Sequence, residues 1–261
     1  MRVLAFRKCL KKDKLEGEIS MCISGKAEAI LDKFIHELLI EGRDEAIDNL
    51  ISDFQDKLFD SAGMDRNSVV QLISDIADNV LYRLLLLIQT WNKLKITLEG
   101  ELIELPDNLE EFLFGENGYI QNYSKEEYIC KTKQHFLIKD VSDFDYESFS
   151  DKLEFAYAQQ GDYANKELLL FGYELICFVR DEIILYCDNN FNQKIDREYI
   201  PIMVDQTLGT ILLAIEQFDD SISIYVNDID IMLISDGLCG ELYTEFGWIA
   251  LFSKERYYEI F

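Results

Sequence analysis

Apolar residues between positions 26 and 91 recur at helical spacing and predict three helices. In the first, residues 26–41, and the second, residues 44–59, apolar side chains return every three or four positions along one face. Gly42 marks the end of the first helix, since glycine is typical of helix ends. The third helix, residues 69–91, is apolar on more than one side near its end. We expect these stripes to pack in a core rather than to form a partner-binding groove.

The pattern changes on both sides of this helical region. Residues 1–24 hold two apolar-rich runs around a polar stretch, which predicts a β-hairpin. After position 94 the run "KITLEGELIEL" predicts another hairpin, and "SISIYV" and "IDIMLIS" predict strands joined by Asn227-Asp228. The run "EIILYC" (182–187) is interpreted as a further strand. Helices are expected at "DNLEEFLFG", which Gly115 stops, at "VDQTLGTILLAIEQF", and in the closing segment.

This order of elements favours the α+β class, with an N-terminal hairpin and helical region followed by a strand-rich mixed region. We place a domain boundary between a hairpin-plus-helical region, 1–94, and a mixed α+β region, 95–261, and leave a single domain open. Only 2 prolines occur, so no Pro-rich linker marks the boundary. No internal repeat is evident in the sequence.

The acidic charge says more about possible partners than any motif in the sequence. The 261 residues carry 50 Asp and Glu against 25 Lys and Arg, for a formal net charge of -25. A compact chain of this length is about 45–50 Å across, and duplex DNA of that length carries roughly 28 charges. We therefore expect no direct binding to nucleic acid. Such a protein should attract basic surfaces, including those that bind nucleic acid; the alternative is charge for solubility alone.

The expected compartment is the cytoplasm. The chain has six cysteines, none in a C-x-x-C pair, and we expect reduced thiols. The first apolar run is broken by Arg7 and Lys8, so it lacks the apolar core of a signal peptide. The run "LLLLI" (84–88) is far shorter than the about 20 residues that a membrane span needs, and we expect no membrane partner.

Motifs for catalysis are incomplete. The segment "SMCISGKA" fails as a phosphate-binding loop, because Ser20 replaces the first glycine and Ala27 replaces the magnesium-binding hydroxyl. The pair His36-Glu37 lacks the second histidine of a zinc-binding helix, since Ile40 stands at its place. We expect no enzyme and no cofactor. An enzyme with a carboxylate-bound metal stays as an alternative, since 50 acids provide carboxylate pairs by chance.

One stretch, "DNNFNQKID" (188–196), partly matches an EF-hand calcium loop. Asp188, Asn190 and Asn192 fit the first three ligand positions. Gln193 replaces the glycine of the sharp turn, and Tyr199 replaces the bidentate glutamate. We interpret the stretch as a polar loop after a strand and predict no metal site, with these first three residues as a weak candidate set.

The segment "DVSDFDYESFSDKLEF" (140–155) interleaves carboxylates with aromatic residues. Carboxylates can bind arginine in bidentate geometry, and aromatic residues supply the anchors of binding hot spots. We expect this segment to dock a basic partner; the alternative is an ordinary surface segment whose aromatic side chains face the core. The candidate partner-binding residues are Asp140, Asp143, Asp145, Tyr146, Glu147, Phe149, Asp151 and Glu154.

Together these features favour a non-catalytic, cytoplasmic, acidic binding protein. It would neutralise a basic, nucleic-acid-handling partner by covering its substrate-binding surface. Immunity proteins of bacterial toxins and phage anti-defence inhibitors work in this way as classes, and some use nucleic-acid mimicry. Two alternatives stay open: the carboxylate-metal enzyme and a non-catalytic scaffold subunit of an assembly. No family motif supports any of the three, and the sequence does not predict an oligomeric state.

Overall fold

A computed structural model describes residues 25–129, 146–161, 165–191, 198–218 and 221–253. The structure is mostly helical (74%) with one small antiparallel sheet, which confirms the predicted α+β class. The elements of the first half are α1 (Gly25–Glu37), a π-helical segment (Leu38–Asp44), α2 (Glu45–Ala62), α3 (Arg66–Thr90), β1 (Leu94–Leu98), β2 (Glu101–Leu102), α4 (Leu109–Phe114), α5 (Tyr119–Tyr123) and a 3-10 turn (Glu126–Tyr128).

The second half begins after α6 (Tyr146–Gln160) and repeats this order. Its elements are α7 (Lys166–Glu174), a π-helical segment (Leu175–Arg180), α8 (Asp181–Phe191), α9 (Tyr199–Glu216), β3 (Ile222–Val226), β4 (Ile229–Asp230), a 3-10 turn (Ile231–Leu233), α10 (Leu238–Tyr243) and α11 (Trp248–Phe252). The expectation of no internal repeat is therefore wrong, because the structure contains two copies of one helix–π–helix–helix–hairpin–helix–helix unit.

The two halves meet in a four-stranded sheet of order β2-β1-β3-β4. Ile96 pairs with Ile224 at the centre of the antiparallel β1–β3 register, and Leu94 pairs with Val226 at one end. Exchanging the two halves maps this register onto itself. The sheet therefore lies on a pseudo-two-fold axis that passes near the Ile96–Ile224 pair.

Both predicted two-residue turns are present and close equivalent hairpins. Glu99 and Gly100 have positive φ between β1 and β2, and Asn227 and Asp228 have positive φ between β3 and β4. Two consecutive residues with positive φ match the right-handed twist of the flanking strands. The turn Glu99-Gly100 and the turn Asn227-Asp228 thus repeat one local geometry with different residues.

A sequence signal for the repeat exists near the end of each half. Residues 118–128 and 247–257 align without gaps, and six of the eleven pairs are identical: Gly, Ile, Ser, Lys, Glu and Tyr. A second signal is the tripeptide Arg-Asp-Glu, which occurs at 43–45 and at 180–182. The signals lie at different spacings, 129 and 137 residues apart, so a search for one fixed period misses them.

The first two predicted helices are one continuous helical run. α1, the π-helical segment and α2 follow one another without a break from 25 to 62. Gly42 lies inside this run and does not end it. A Cβ at Gly42 would lie 3.2 Å from Cγ1 of Ile211 in α9, so glycine permits close packing between the two halves there.

The second region is mixed, as predicted, but it contains more helix and shorter strands than expected. Residues 182–187, interpreted as a strand, belong to α8, and the apolar run before them forms α7 and its π-helical segment. These helices are buried on most sides, so their apolar runs resemble those of buried strands. The predicted strand "IDIMLIS" shortens to Ile229–Asp230 and then forms a 3-10 turn. The N-terminal hairpin lies outside the described residues.

The halves interlock around one hydrophobic core. The π-helical segment Leu38–Asp44 packs on α9 of the second half, and the π-helical segment Leu175–Arg180 packs on α3 of the first. Buried residues of both halves form one cluster. The domain boundary between 94 and 95 stays a prediction, and the described residues on its two sides share this core.

Among the described helices, α9 alone is long and apolar enough to cross a membrane by length and composition. Two thirds of it (67%) is buried inside the protein, as in the core helix of a globular fold.

Candidate functional site

The first half contains a fully buried arginine at the end of its π-helical segment. Arg43 donates from Nε to Asp78 (2.5 Å) and from Nη1 to Asp44 (2.5 Å) and to Ser124 Oγ (2.8 Å). Ser124 in turn donates to Asp44 (2.9 Å). A further bond joins the guanidinium to the backbone carbonyl of Tyr128 (2.8 Å). One side chain thereby ties α3 and the segment after α5 to the long helical run.

The second half contains an equivalent cluster. Arg180 donates from Nε and Nη2 to the two carboxylate oxygens of Asp205 (2.5 and 2.9 Å). Its Nη1 donates to Asp181 and to Ser253 Oγ, each at 2.8 Å. Ser253 donates to Asp181 (3.0 Å). Arginine, two aspartates and serine therefore occupy corresponding positions in the two halves.

Burial alone would lower the pKa of Arg43 and of Arg180, but the facing carboxylates outweigh it, and the pKa of each guanidinium is raised. Both arginines therefore stay charged, and neither reaches solvent. Groups held so deeply cannot contact a partner or a substrate. We conclude that the two clusters support the fold and are not the functional site.

A groove of about 470 Å³ opens between α2, α9 and α10. Its volume lies in the range of roughly 300–1,000 Å³ that is typical of ligand sites. The residues that line it are Asn49 and Asp53 of α2, Ile202, Asp205, Gln206, Gly209, Thr210 and Leu213 of α9, and Cys239 and Tyr243 of α10. None of these described lining residues is basic.

The groove lies at positions where the two halves carry different residues. Asp78 and Asp205 correspond, because each accepts from the arginine Nε, so the positions four residues later, Tyr82 and Gly209, also correspond. Tyr82 fills its space and contacts the ring of Phe114, with centroids 6.2 Å apart. Gly209 carries no side chain, and the Tyr243 ring occupies the space beside it.

The next pair of positions differs in the same direction. Arg83 is fully buried, donates to the backbone carbonyl of Phe178 from Nε (2.9 Å) and stacks over the Phe178 ring at 3.9 Å. Its counterpart in α9 is Thr210, a much shorter side chain that lines the groove. The first half thus has a buried arginine at the position where the second half has a threonine.

Tyr243 closes one end of the groove. Its hydroxyl donates to the backbone carbonyl of Asp205 (2.5 Å). A Cβ at position 209 would lie 2.8 Å from the Tyr243 hydroxyl oxygen. Glycine is therefore needed at 209 for Tyr243 to keep this bond, and the groove and the bond depend on the same residue.

Hydrogen-bond acceptors dominate the groove. Asp53 is exposed, and among the described residues it receives only a long bond from the Gln206 amide (3.4 Å). The Gln206 carbonyl oxygen is buried and has no hydrogen-bond partner among the described residues. Leu213, which is 44% exposed, adds an apolar surface. Such a groove is suited to a ligand with N–H donors and a positive charge.

The residues at the groove do not favour a nucleophilic thiol. Cys239 lines it, but burial and the charge of Glu216 raise the pKa of its thiol, which disfavours the reactive thiolate. His36 is exposed on α1 and contacts Tyr123 edge-on, with centroids 5.2 Å apart. Within the described part of the chain, no group of three or more His, Cys, Asp or Glu residues is placed to hold a metal ion.

The predicted calcium-like loop has a different structure. Asp188 and Asn190 lie in the last turns of α8 rather than in a loop after a strand, and Asn192 lies outside the described residues. Asp188 is buried, and the Asn190 amide donates to the backbone carbonyl of Tyr186 (2.7 Å). Residues two apart on a helix do not face each other, so these two side chains do not form part of one ligand shell.

The predicted acidic and aromatic segment is described only in part. Its first candidates, Asp140, Asp143 and Asp145, lie outside the described residues. The others, Tyr146, Glu147, Phe149, Asp151 and Glu154, belong to α6.

The described side chains of this segment divide between the core and the surface. Phe149 is buried against Tyr173, with ring centroids 5.1 Å apart, so it packs in the core instead of facing a partner. Asp151 and Glu154 are exposed. The docking role of the segment stays a prediction.

No protein-family model, curated protein or solved structure matches this chain. No sequence motif predicts the groove. The two sequence signals are 137 and 129 residues apart, whereas Asp78 and Asp205 are 127 apart, so these signals alone do not set Gly209 against Tyr82. The pairing follows from the hydrogen bonds of the two arginines.

Proposed function

We propose that this chain is a non-catalytic cytoplasmic protein that binds and neutralises a basic, nucleic-acid-handling partner protein, as toxin immunity proteins and anti-defence inhibitors do. The observation that carries the proposal is the charge: 50 acidic residues against 25 basic ones. At that density the protein resembles a short duplex of nucleic acid in charge and attracts the surfaces that bind one.

Four exposed lysines are paired with carboxylates, so they are not isolated positive charges on the acidic surface. The pairs are Lys26 with Glu101 (2.5 Å), Lys33 with Glu99 (3.0 Å), Lys95 with Asp228 (2.8 Å), and Lys125 with Asp48. Pairs this exposed contribute little to stability. They do reduce the positive charge that a basic partner would meet at close range, so the excess of acids dominates the surface field.

The groove between α2, α9 and α10 is the docking point that we favour. It combines an exposed carboxylate, a threonine hydroxyl and an apolar wall. Electrostatic attraction of the whole surface would set the rate of encounter, and the groove would fix the register of the complex.

Affinity capture followed by reconstitution tests the proposal. The full chain is immobilised and exposed to a lysate of the organism that encodes it, and the proteins that bind at low salt are purified singly. We expect a basic protein that binds the pure chain in a salt-sensitive complex and loses its nucleic-acid binding or cleavage in that complex. A salt-insensitive complex, or one that leaves the partner's activity intact, would contradict the proposal and favour a scaffold subunit.

A further inference from the structure

We propose that the groove between α2, α9 and α10 receives an arginine side chain of the partner. This inference rests on the proposed function and makes it more specific, because it names the chemical group that the acidic protein recognises. The occupant is a planar cation with a fork of N–H donors and an aliphatic stem.

The acceptors of the groove match such a fork. Asp53 offers an exposed carboxylate from α2. Thr210 donates its hydroxyl hydrogen to the Gln206 backbone carbonyl (2.8 Å), so its oxygen retains acceptor capacity. Acceptors spread over two helices suit the five N–H donors of a guanidinium better than the compact ammonium group of lysine.

The described cations do not pair with the exposed carboxylate of this site. The Asp205 carboxylate beside the groove is already held by Arg180, whereas Asp53 makes no ion pair with the described residues. The apolar side chains of Leu213 and Ile202 line the same groove and can cover the methylene groups of an arginine stem. Charge and shape therefore favour an incoming arginine.

The first half supplies an internal precedent. The position equivalent to Thr210 carries Arg83, whose guanidinium is fully buried and hydrogen-bonded to a backbone carbonyl of the other half. The fold therefore accommodates a guanidinium at a contact between its halves. The carbonyl that holds Arg83 belongs to the π-helical segment Leu175–Arg180, and the equivalent segment, Leu38–Asp44, does not line the groove, so Arg83 is a precedent for the chemistry and not for the place.

Small arginine probes test this without a known partner. The probes are Nα-acetyl-L-arginine methylamide, the matching citrulline amide, which is isosteric and neutral, and the matching lysine amide. Binding is followed by the NMR shifts of the side-chain amides of Gln206 and Asn49. We expect the arginine probe to bind with a Kd in the millimolar range and to slow alkylation of Cys239, and we expect the citrulline probe to do neither.

Matched variants locate the binding. Asp53→Asn removes the carboxylate of an exposed residue and should weaken arginine binding about tenfold, the scale of one charge-assisted hydrogen bond. Asp56→Asn removes an exposed carboxylate of the same helix that does not line the groove and should leave binding unchanged. Thr210→Met fills the groove without adding charge and should abolish binding.

Three results would overturn the inference. They are equal binding of the arginine and citrulline probes, tighter binding of the lysine probe, and an affinity that Asp53→Asn and Asp56→Asn change equally. If the probes fail while a captured basic partner still binds, the groove assignment is wrong and the proposed function stands. If the arginine probe binds as expected but capture yields no basic partner, the proposed function fails and the guanidinium site stands.

Discussion

The two halves of this molecule share a buried framework and differ in the surface that they build on it. Each half holds a buried arginine between two aspartates and a serine, with corresponding distances. The halves diverge beside that cluster, where the first half has Tyr82 and the buried Arg83 and the second half has Gly209 and Thr210, which line a groove. The shared part explains stability, and the difference locates the candidate site.

The largest expected effect comes from breaking the shared part. Arg43→Met and Arg180→Met each leave two buried aspartates without their cation, which should cost about 3–5 kcal/mol of the free energy of unfolding. Urea denaturation of the two variants measures it. A loss below about 1 kcal/mol, the scale of a surface pair, in either variant would show that the two clusters are not equivalent.

A second difference between the halves is expected to depend on pH. Glu174 is buried where α7 meets its π-helical segment, and burial raises its pKa to about 7 despite the charge of Lys93. The native state therefore keeps a proton that the unfolded state has lost between about pH 4.5 and pH 7. Stability should fall as the pH rises through that window and then stay level.

Glu174→Gln should remove this pH dependence and raise the free energy of unfolding above pH 7 by about 3 kcal/mol. Glu37→Gln is the matched control, because Glu37 precedes the π-helical segment of the first half and is only half-buried. Thermal or urea unfolding at pH 5 and pH 8 distinguishes the Glu174→Gln variant from the Glu37→Gln variant. Equal behaviour of both variants would contradict a special burial of Glu174.

A smaller effect is expected from packing that only the second half uses. A Cβ at Gly172 would lie 2.3 Å from Trp248 Cδ1, inside van der Waals contact. Gly172→Ala should therefore destabilise the protein by about 2 kcal/mol through overpacking. Gly240→Ala in α10 meets nothing within 4 Å and should be neutral or slightly stabilising. Equal unfolding midpoints for the two variants would refute the close packing of Trp248.

The smallest expected effect compares two candidate docking surfaces. The double substitution Asp151→Lys with Glu154→Lys reverses two exposed charges of α6. The substitution Asp53→Lys reverses the charge of the exposed carboxylate in the groove. If the groove fixes the register, Asp53→Lys should speed dissociation of the reconstituted complex. The α6 pair should slow association several-fold at low salt only, because exposed charges are screened over about 8 Å at physiological ionic strength. Surface plasmon resonance over a salt series distinguishes them, and the opposite assignment of rates would place the interface on α6.

Local patterns predicted those elements that a single stretch of sequence determines. The three amphipathic runs are helical, and the hairpins close at Glu99-Gly100 and Asn227-Asp228, where Gly100, Asn227 and Asp228 are residue types that tolerate positive φ. The run at 182–187 was misassigned because a helix buried on most sides lacks the polar face that reveals its period. Helix–strand errors of this kind arise from tertiary burial, which short-range periodicity does not report.

The groove was beyond prediction for a different reason. It depends on the absence of a side chain at Gly209 and on the short side chain of Thr210. Neither residue is unusual in its own helix. Only the correspondence with Tyr82 and Arg83 makes the absence informative, and that correspondence follows from the hydrogen bonds of Asp78 and Asp205. A site of this kind can be recognised once the structure shows which residues of the two halves correspond.

The most direct test of the account is the Kd of the reconstituted complex between this chain and its captured basic partner, measured for the wild type and for Thr210→Met. Thr210→Met leaves the net charge at -25 and closes the groove, so general attraction persists while the docking point is lost. The account predicts that Kd rises at least about tenfold, mainly through faster dissociation. A folded Thr210→Met variant that binds with the wild-type Kd would contradict it.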